Sequence, residues 1–465
     1  MQKQLALIII HFLIFISVFT LFKNEKIYHA TLGKVSMTYE RSGTWENPEI
    51  KLVKKPFIAI TNENLEQWDA SIYKCIEEYS YSLEGDCYNK VKFAFFPLFP
   101  LLWKTTHLST IGVCMLNYLL FAVSILILIN ILTHSLPTRE KIILQLICFT
   151  IPSIVIYYIP YSEAIFMMTM TLVVFGILRN KYGLYFIGCF LAATSRPATG
   201  FIVFAILLTE LYLFYNYKDL RTLIKNVAMR VSPFLLGYFC VLSMEYFYTG
   251  SWDAIAEARK YWSEESLGFR LPEQISDWSV EGFGMSSFVL FFVIVPSFIF
   301  LIRLLLKPPI KNVSSGYTAE PKDYLVMVSL SYVCLFFIYF LFFRGGSMNS
   351  FTRYIINSPL FYSLLIILFE KKIKSSWGVL NNSLFFFISL ILLCTFLSFV
   401  EYGGGRFRFE YAGMYIFILL AFYFSYNNYF NYYIRTLCII GLWLLNIVWS
   451  TYLLDMFICN GWIYA

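Results

Sequence analysis

Leu5-Ala6-Leu7-Ile8-Ile9-Ile10-His11-Phe12-Leu13-Ile14-Phe15-Ile16-Ser17-Val18-Phe19-Thr20-Leu21-Phe22 runs for eighteen residues without a charged side chain. About twenty apolar residues in a helix cross the hydrocarbon core of a bilayer, so this stretch reads as a membrane span over 4–22. Only Lys3 precedes it as a basic residue, and no small-x-small cleavage pattern follows. It is therefore expected to be a retained span rather than a secretory leader.

The same pattern recurs along the chain. Of its 465 residues 59% are hydrophobic, 20% aromatic and 14% charged, and the mean hydropathy is +0.65. A soluble chain carries roughly a quarter charged residues, so the fold expected is an all-α polytopic membrane protein. Apolar windows lie at 111–133, 142–159, 163–179, 184–199, 200–216, 229–248, 287–306, 324–343, 354–370, 378–399, 411–426 and 436–456. With the first they make a bundle of about 11–13 transmembrane helices, one membrane-embedded unit over 1–465. The windows 184–199 and 200–216 are short and flank Arg196-Pro197 and Gly200. That pattern predicts two broken helices meeting at a polar point inside the protein.

Basic residues orient such a chain, cytoplasmic loops being richer in Lys and Arg. With a cytoplasmic N-terminus, the inner loops hold Arg139 and Lys141, Arg179 and Lys181, Lys218, Arg221, Lys225 and Arg230, then Lys307, Lys311 and Lys322, and Lys371, Lys372 and Lys374. The short outer loops hold Arg344, Arg353, Arg406 and Arg408. Two outer loops, 23–110 and 249–286, are then long enough to carry chemistry. Spans 111–248 separate them and the remaining spans occupy 287–456. The inner segment 307–323, with Pro308-Pro309 and Ser314-Ser315-Gly316, reads as a connector. There is no GxxxxGK[ST] phosphate loop.

The net charge of +7 is spread singly among spans and does not point to nucleic acid. Ten cysteines are dispersed, with no CxxC, and four histidines do not cluster with them, which argues against a zinc or iron–sulfur site. Cys75 and Cys87 share the first outer loop and are a candidate pair on an oxidising face.

That loop holds the first candidate chemistry, Gln67-Trp68-Asp69-Ala70 followed by Phe93-Ala94-Phe95-Phe96-Pro97-Leu98-Phe99-Pro100. Leu65, Trp68, Ile72, Ile76 and Tyr79 have helical spacing, which predicts an amphipathic surface helix with Asn64 and Gln67 as a capping box. At 100° per residue, Asp69 falls about 40° from Leu65, within the apolar arc. There a carboxylate is partly desolvated and made more basic. The alternative is that Asp69 simply starts the helix. The Pro97–Pro100 pair is expected to prevent a continuous helix, and its aromatics to lie at the membrane interface.

Glu163, in Pro160-Tyr161-Ser162-Glu163, is either a site residue or a helix N-terminal acid favoured by the macrodipole. Arg196, in Thr194-Ser195-Arg196-Pro197-Ala198-Thr199-Gly200, and Arg353, before Tyr354, are either phosphate-binding guanidiniums or interfacial residues reaching for headgroups.

In this order the motifs resemble the PIG-V family, transferases that add the second mannose in GPI-anchor synthesis, and their bacterial relatives. The matching residues are Trp68-Asp69-Ala70 with Ala94–Pro100, Tyr161-Ser162-Glu163, Ser195-Arg196-Pro197-Ala198-Thr199-Gly200, Tyr248-Thr249-Gly250-Ser251-Trp252-Asp253-Ala254 with Trp262, and Arg353-Tyr354 with Pro359. They cover about 65–360. Pro197 stands where Ser is more usual in the family, a feature closer to the wider GT-C superfamily. The resemblance implies a GT-C glycosyltransferase taking a sugar, mannose above all, from a polyprenyl-phosphate donor. It implies Asp69 as the base, Arg353 and Arg196 at the donor phosphate, and Trp68, Glu163, Asp253 and Tyr354 nearby. No cofactor is firmly implied; superfamily members vary in metal dependence, and no metal-ligand constellation is visible in the sequence.

The expected partners are membrane lipids, the lipid-linked donor and a glycan, glycolipid or protein acceptor. An outward site has no nucleotide sugars, so an activated sugar there arrives on a lipid. Abundant Lys, Ile, Phe, Tyr and Asn, and sequons only at Asn312 and Asn381 on the expected inner side, favour a bacterial inner membrane over an endoplasmic reticulum membrane. Two rivals share the architecture: a lipid-linked-sugar flippase and a glycan polymerase or ligase. A transporter more often shows internal repeats and mid-span charges, and neither is visible here.

Overall fold

A computed structural model describes residues 2–31, 37–43, 48–54, 57–82, 90–260, 289–306, 320–343, 351–374, 432–460 and 463. The first apolar run forms α1 (Gln2–Phe22), followed by the short α2 (Glu25–Ala30). An antiparallel hairpin of β1 (Met37–Gly43) and β2 (Pro48–Lys54) pairs Met37 with Lys54 and Gly43 with Pro48. Farther along the segment between the first two long helices lie α3 (Asp69–Tyr79) and α4 (Leu98–Thr106).

The bundle continues through α5 (Thr110–Leu132), α6 (Thr138–Cys148), α7 (Glu163–Leu178), α8 (Tyr182–Ser195), α9 (Thr199–Tyr217) and α10 (Leu220–Thr249). Beyond the short α11 (Ala254–Lys260) come α12 (Val295–Leu306), α13 (Pro321–Phe343), α14 (Phe351–Ile355), α15 (Pro359–Lys374) and α16 (Tyr432–Ile458). Among the described residues six helices are long and apolar enough to cross a membrane: α1, α5, α9, α10, α13 and α16. The chain is thus a helical, multi-pass membrane protein. The expected spans 378–399 and 411–426 lie outside the described residues, as do Cys87, most of loop 249–286, Arg344 and the sequons.

The window 142–159 is not one helix. α6 stops at Cys148, and Pro152–Tyr157 forms a 3-10 segment before the chain reaches α7. Proline at Pro152 has no amide hydrogen to continue the ladder. The anticipated break between 184–199 and 200–216 is present: α8 ends at Ser195 and α9 begins at Thr199. Its freed carbonyls are satisfied inside the protein, as a bilayer core requires. Thr199 Oγ1 donates to Arg196 O at 2.8 Å, and Tyr238 Oη donates to Pro197 O at 2.7 Å.

Helices α7, α8 and α10 pack backbone to backbone because glycines remove the intervening side chains. A Cβ on Gly188 would lie 2.8 Å from Val173 N and 2.9 Å from Thr169 O, and one on Gly237 would lie 2.7 Å from Phe190 O.

Among the described residues, ion pairs tie the helices together toward the two ends of the bundle. At one end Glu210 pairs with Arg230, Lys322 with Glu370 at 2.7 Å, and Arg435 with Glu140 at 2.9 Å. Ser135 adds a 2.8 Å bond to Glu370. This end carries Arg230 and Lys322, expected on the inner side, each now with a carboxylate. At the other end Lys23 pairs with buried Asp455 and donates to Ile58 O at 2.8 Å, tying α1, the first loop and α16 together. The first loop lies at this second end.

Candidate active site

Asp69 is the first residue of α3. A separate 3-10 turn, Glu63–Leu65, precedes it, and the chain turns sharply at Trp68, whose φ is +54°. A helix cannot run through that angle, so the expected helix begins only at Asp69, the alternative that the sequence left open, and the wheel position of Asp69 relative to Leu65 has no meaning. Nor do Asn64 and Gln67 form a capping box. Asn64 donates from Nδ2 to Ala59 O at 2.9 Å and from its backbone N–H to Thr61 Oγ1 at 3.2 Å. Asp69 is half-desolvated for a tertiary reason: the elements around it, not its own helix face, cover it.

A bulky residue at positive φ costs energy and persists where its surroundings impose it, often beside functional groups. Trp68 itself is exposed. From Asp69 onward α3 buries Ala70, Tyr73 and Ile76, while Lys74 pairs with Glu77 and Glu78 on the wet side.

The aromatic run forms the floor beneath α3. Phe93, Phe96, Phe99 and Trp103 are buried, so they are core residues and not the interfacial belt that sequence allowed. Tyr73 meets Phe95 and Phe99 edge-on at 5.0 and 4.9 Å, and Phe96 meets Tyr238 at the α8–α9 break at 5.9 Å. Pro97 precedes α4 and Pro100 sits in its first turn, where a missing N–H costs nothing. The proline pair therefore starts a helix here and does not forbid one.

Four of the expected residues converge. Arg353 on α14 donates from Nη1 to Asp69 Oδ2 at 2.7 Å and from Nε to Glu163 Oε1. Arg196 in the α8–α9 break reaches the same Glu163 oxygen from Nη1 at 2.8 Å. Glu163 is fully buried at the start of α7, and its second oxygen, Oε2, has no hydrogen-bond partner among the described residues. It is thus both a first-turn acid and the centre of an ion cluster. Two carboxylates and two guanidiniums balance in charge, which offsets much of the cost of desolvating them. The aromatic faces add to this: Arg353 Cζ lies 4.7 Å from the Tyr161 ring centroid and Arg196 Cζ lies 5.2 Å from that of Tyr354.

Tyr73 closes the cluster from the loop side by donating to Ser162 Oγ at 2.8 Å. Burial, with the charge of Glu163 adding to it, pushes the Tyr73 hydroxyl well above its ordinary pKa, so it remains a donor. Asp253 is not part of the cluster; it is exposed just before α11, its N–H donating to Ser251 Oγ at 3.1 Å.

Several positioning residues escape a reading of the sequence. Asn117 Nδ2 donates to Ile159 O at 2.7 Å and to Tyr161 O at 2.9 Å, fixing the turn that presents Glu163. Asn357 accepts from Ser153 Oγ at 2.8 Å and, through its carbonyl, from Tyr157 Oη at 2.7 Å. Tyr332 Oη holds Tyr354 O at 2.9 Å. An Asn among apolar neighbours in a helix is the available signal for Asn117, since its cost in a membrane calls for partners. Among the described residues no group of three or more His, Cys, Asp or Glu side chains could hold a metal ion. Cys75 on α3 is disulfide-bonded.

Comparison with known proteins finds no matching family model, no matching curated protein and no matching solved structure.

Proposed function

We propose that this protein is an integral-membrane glycosyltransferase of GT-C type that moves a sugar, mannose in the first instance, from a polyprenyl-phosphate donor to a glycan, glycolipid or protein acceptor. The observation that carries the reading is the meeting of Asp69, Glu163, Arg196 and Arg353 at one end of the bundle from four separate elements. Asp69, Arg196 and Arg353 are the residues to which the motif resemblance assigns the chemistry, with Glu163 beside them, although 284 positions separate Asp69 from Arg353.

In this mechanism Asp69 takes the proton of an acceptor hydroxyl as its oxygen attacks the anomeric carbon. The bond from that carbon to the phosphate oxygen breaks, configuration inverts, and polyprenyl phosphate leaves with the electron pair. Arg353 and Arg196 hold the charge that develops on it, a task suited to planar, multidentate guanidinium groups. Tyr354 and Tyr161 stack against those cations, and Trp68 borders the base. An outward-facing site is supported by the bonded state of Cys75 in the same loop, since disulfides persist on oxidising faces. A bacterial inner membrane fits this best, with the endoplasmic reticulum lumen as the alternative. The four charges form one cluster and not a series along the bundle, which favours an enzyme over a flippase.

The test is an incubation of the purified protein in lipid nanodiscs with radiolabelled polyprenyl-phosphate mannose and membrane extract. Label should move to an acceptor in the wild-type reaction and not with Asp69→Asn. Transport of the intact donor across a vesicle membrane without transfer, or transfer of whole oligosaccharides only, would replace this reading with one of its rivals.

A further inference from the structure

Arg353 is held by two carboxylates that differ in kind. Glu163 is 0% exposed, opens a helix of the bundle, and shares the same oxygen with Arg196. The Asp69 side chain is 20% exposed and sits at the very start of a loop helix, one residue after a strained turn. An anion approaching the guanidinium competes with the partner that is easier to rehydrate, and that partner is Asp69. Removing Glu163 from Arg353 would instead leave a charge stranded without water.

We infer that Glu163 is the fixed anchor of both arginines and Asp69 the exchangeable partner of Arg353, so that the donor's phosphate takes the place of Asp69. This rests on the glycosyltransferase reading above. A sugar phosphodiester carries one negative charge. Glu163 with two guanidiniums carries one net positive charge, so the exchange leaves the phosphate neutralised. Asp69 then lies beside the bound donor as an ionised carboxylate without its guanidinium, able to accept a proton. Before the donor binds, the same carboxylate is occupied as an ion-pair partner. The base is thereby released by donor binding, and donor binds before the acceptor can react. Glu163 touches no reacting atom in this scheme and is a positioning residue: it keeps the two guanidiniums on one oxygen, so that their remaining N–H donors face a common ligand.

The two carboxylates consequently have opposite effects on lipid-phosphate affinity. Binding of polyprenyl phosphate, the donor's leaving group, is measured by titration into nanodiscs holding wild type, Asp69→Asn, Asp69→Ala and Glu163→Gln, with thermal melting to verify folding. Loss of the competing carboxylate should tighten binding roughly fivefold or more in both Asp69 variants, the size of an ordinary coupling between two ligands. Glu163→Gln should weaken it by a similar factor while the protein stays folded. If the Asp69 variants bind like wild type or more weakly, the exchange is wrong while the glycosyltransferase reading stands. If Glu163→Gln tightens binding as well, Glu163 acts as a second competitor and the anchor role fails. Wild-type protein that binds no polyprenyl phosphate, or binds it equally well after Arg353→Gln, overturns the exchange together with the phosphate role of Arg353.

Discussion

Arg353 Nη1 lies 2.7 Å from Asp69 Oδ2, joining the first long loop to a short helix 284 positions later. The same guanidinium reaches Glu163 through Nε, so one side chain connects the loop to the membrane-embedded bundle. A planar fork with fixed donor directions can do this; a flexible ammonium cannot bridge both acceptors with the same geometry.

Asp69→Asn tests the base. It preserves size and leaves an oxygen that can accept from Arg353, so expression and melting temperature should stay near wild type. Turnover should fall by about a hundredfold or more, because proton acceptance in the transition state is lost. Steady-state kinetics with polyprenyl-phosphate mannose decide it, and an active Asn variant would move the assignment to another carboxylate.

The lysine variants rank the two arginines. Arg353→Lys keeps the charge but cannot bond both Asp69 and Glu163, and should lower kcat about a hundredfold or more, the cost of removing a preorganised donor from a developing charge. Arg196 contacts a single carboxylate oxygen, so Arg196→Lys should lose less. Measuring donor KM and kcat for both checks this; wild-type behaviour of both variants would show that phosphate recognition lies elsewhere.

Gly188→Leu addresses the frame that brings Glu163 and Arg196 together. A Cβ there meets backbone atoms of α7 at 2.8–2.9 Å, so α7 and α8 must separate. Overpacking of this kind costs about 1–3 kcal/mol or more. The expected result is a lower melting temperature in detergent together with lost activity, whereas Gly183→Leu, with nothing within 4 Å, should be tolerated.

Asn117→Leu is close in size but removes both donors to Ile159 O and Tyr161 O. Leaving buried carbonyls unmet costs about 1–3 kcal/mol each. Melting temperature should fall, and the displaced Tyr161–Glu163 turn should reduce kcat more than donor KM. A variant with unchanged kinetics would mean that the turn is held by its other contacts.

What the sequence determined by itself is the solvent of the fold and the chemical types at its site. Charge-free runs such as 5–22 leave no alternative to a bilayer, because each backbone group there must find its partner within a helix. Arg196-Pro197 already marks a broken helix, since proline lacks the amide that would continue it. Asp69, Glu163, Arg196 and Arg353 stood out as charges among apolar neighbours, where each carries a desolvation cost.

Only the tertiary structure decided how those charges share one another. Sequence spacing left Asp69 either within the apolar arc of a helix or at its start; the positive φ at Trp68 makes it the first residue of that helix, beside Arg353. Glu163 read also as a helix-start acid, and it is one, but the two guanidiniums that share its oxygen come from elements at 196 and 353. The partners that hold the frame, Asn117 to the 159–161 turn and Asn357 to the 153–157 segment, are likewise distant in the chain. Local patterns record what a residue costs to bury. Which distant group offsets that cost depends on how the helices cross, and that is set by packing contacts such as Gly188 against Val173 that no single segment contains.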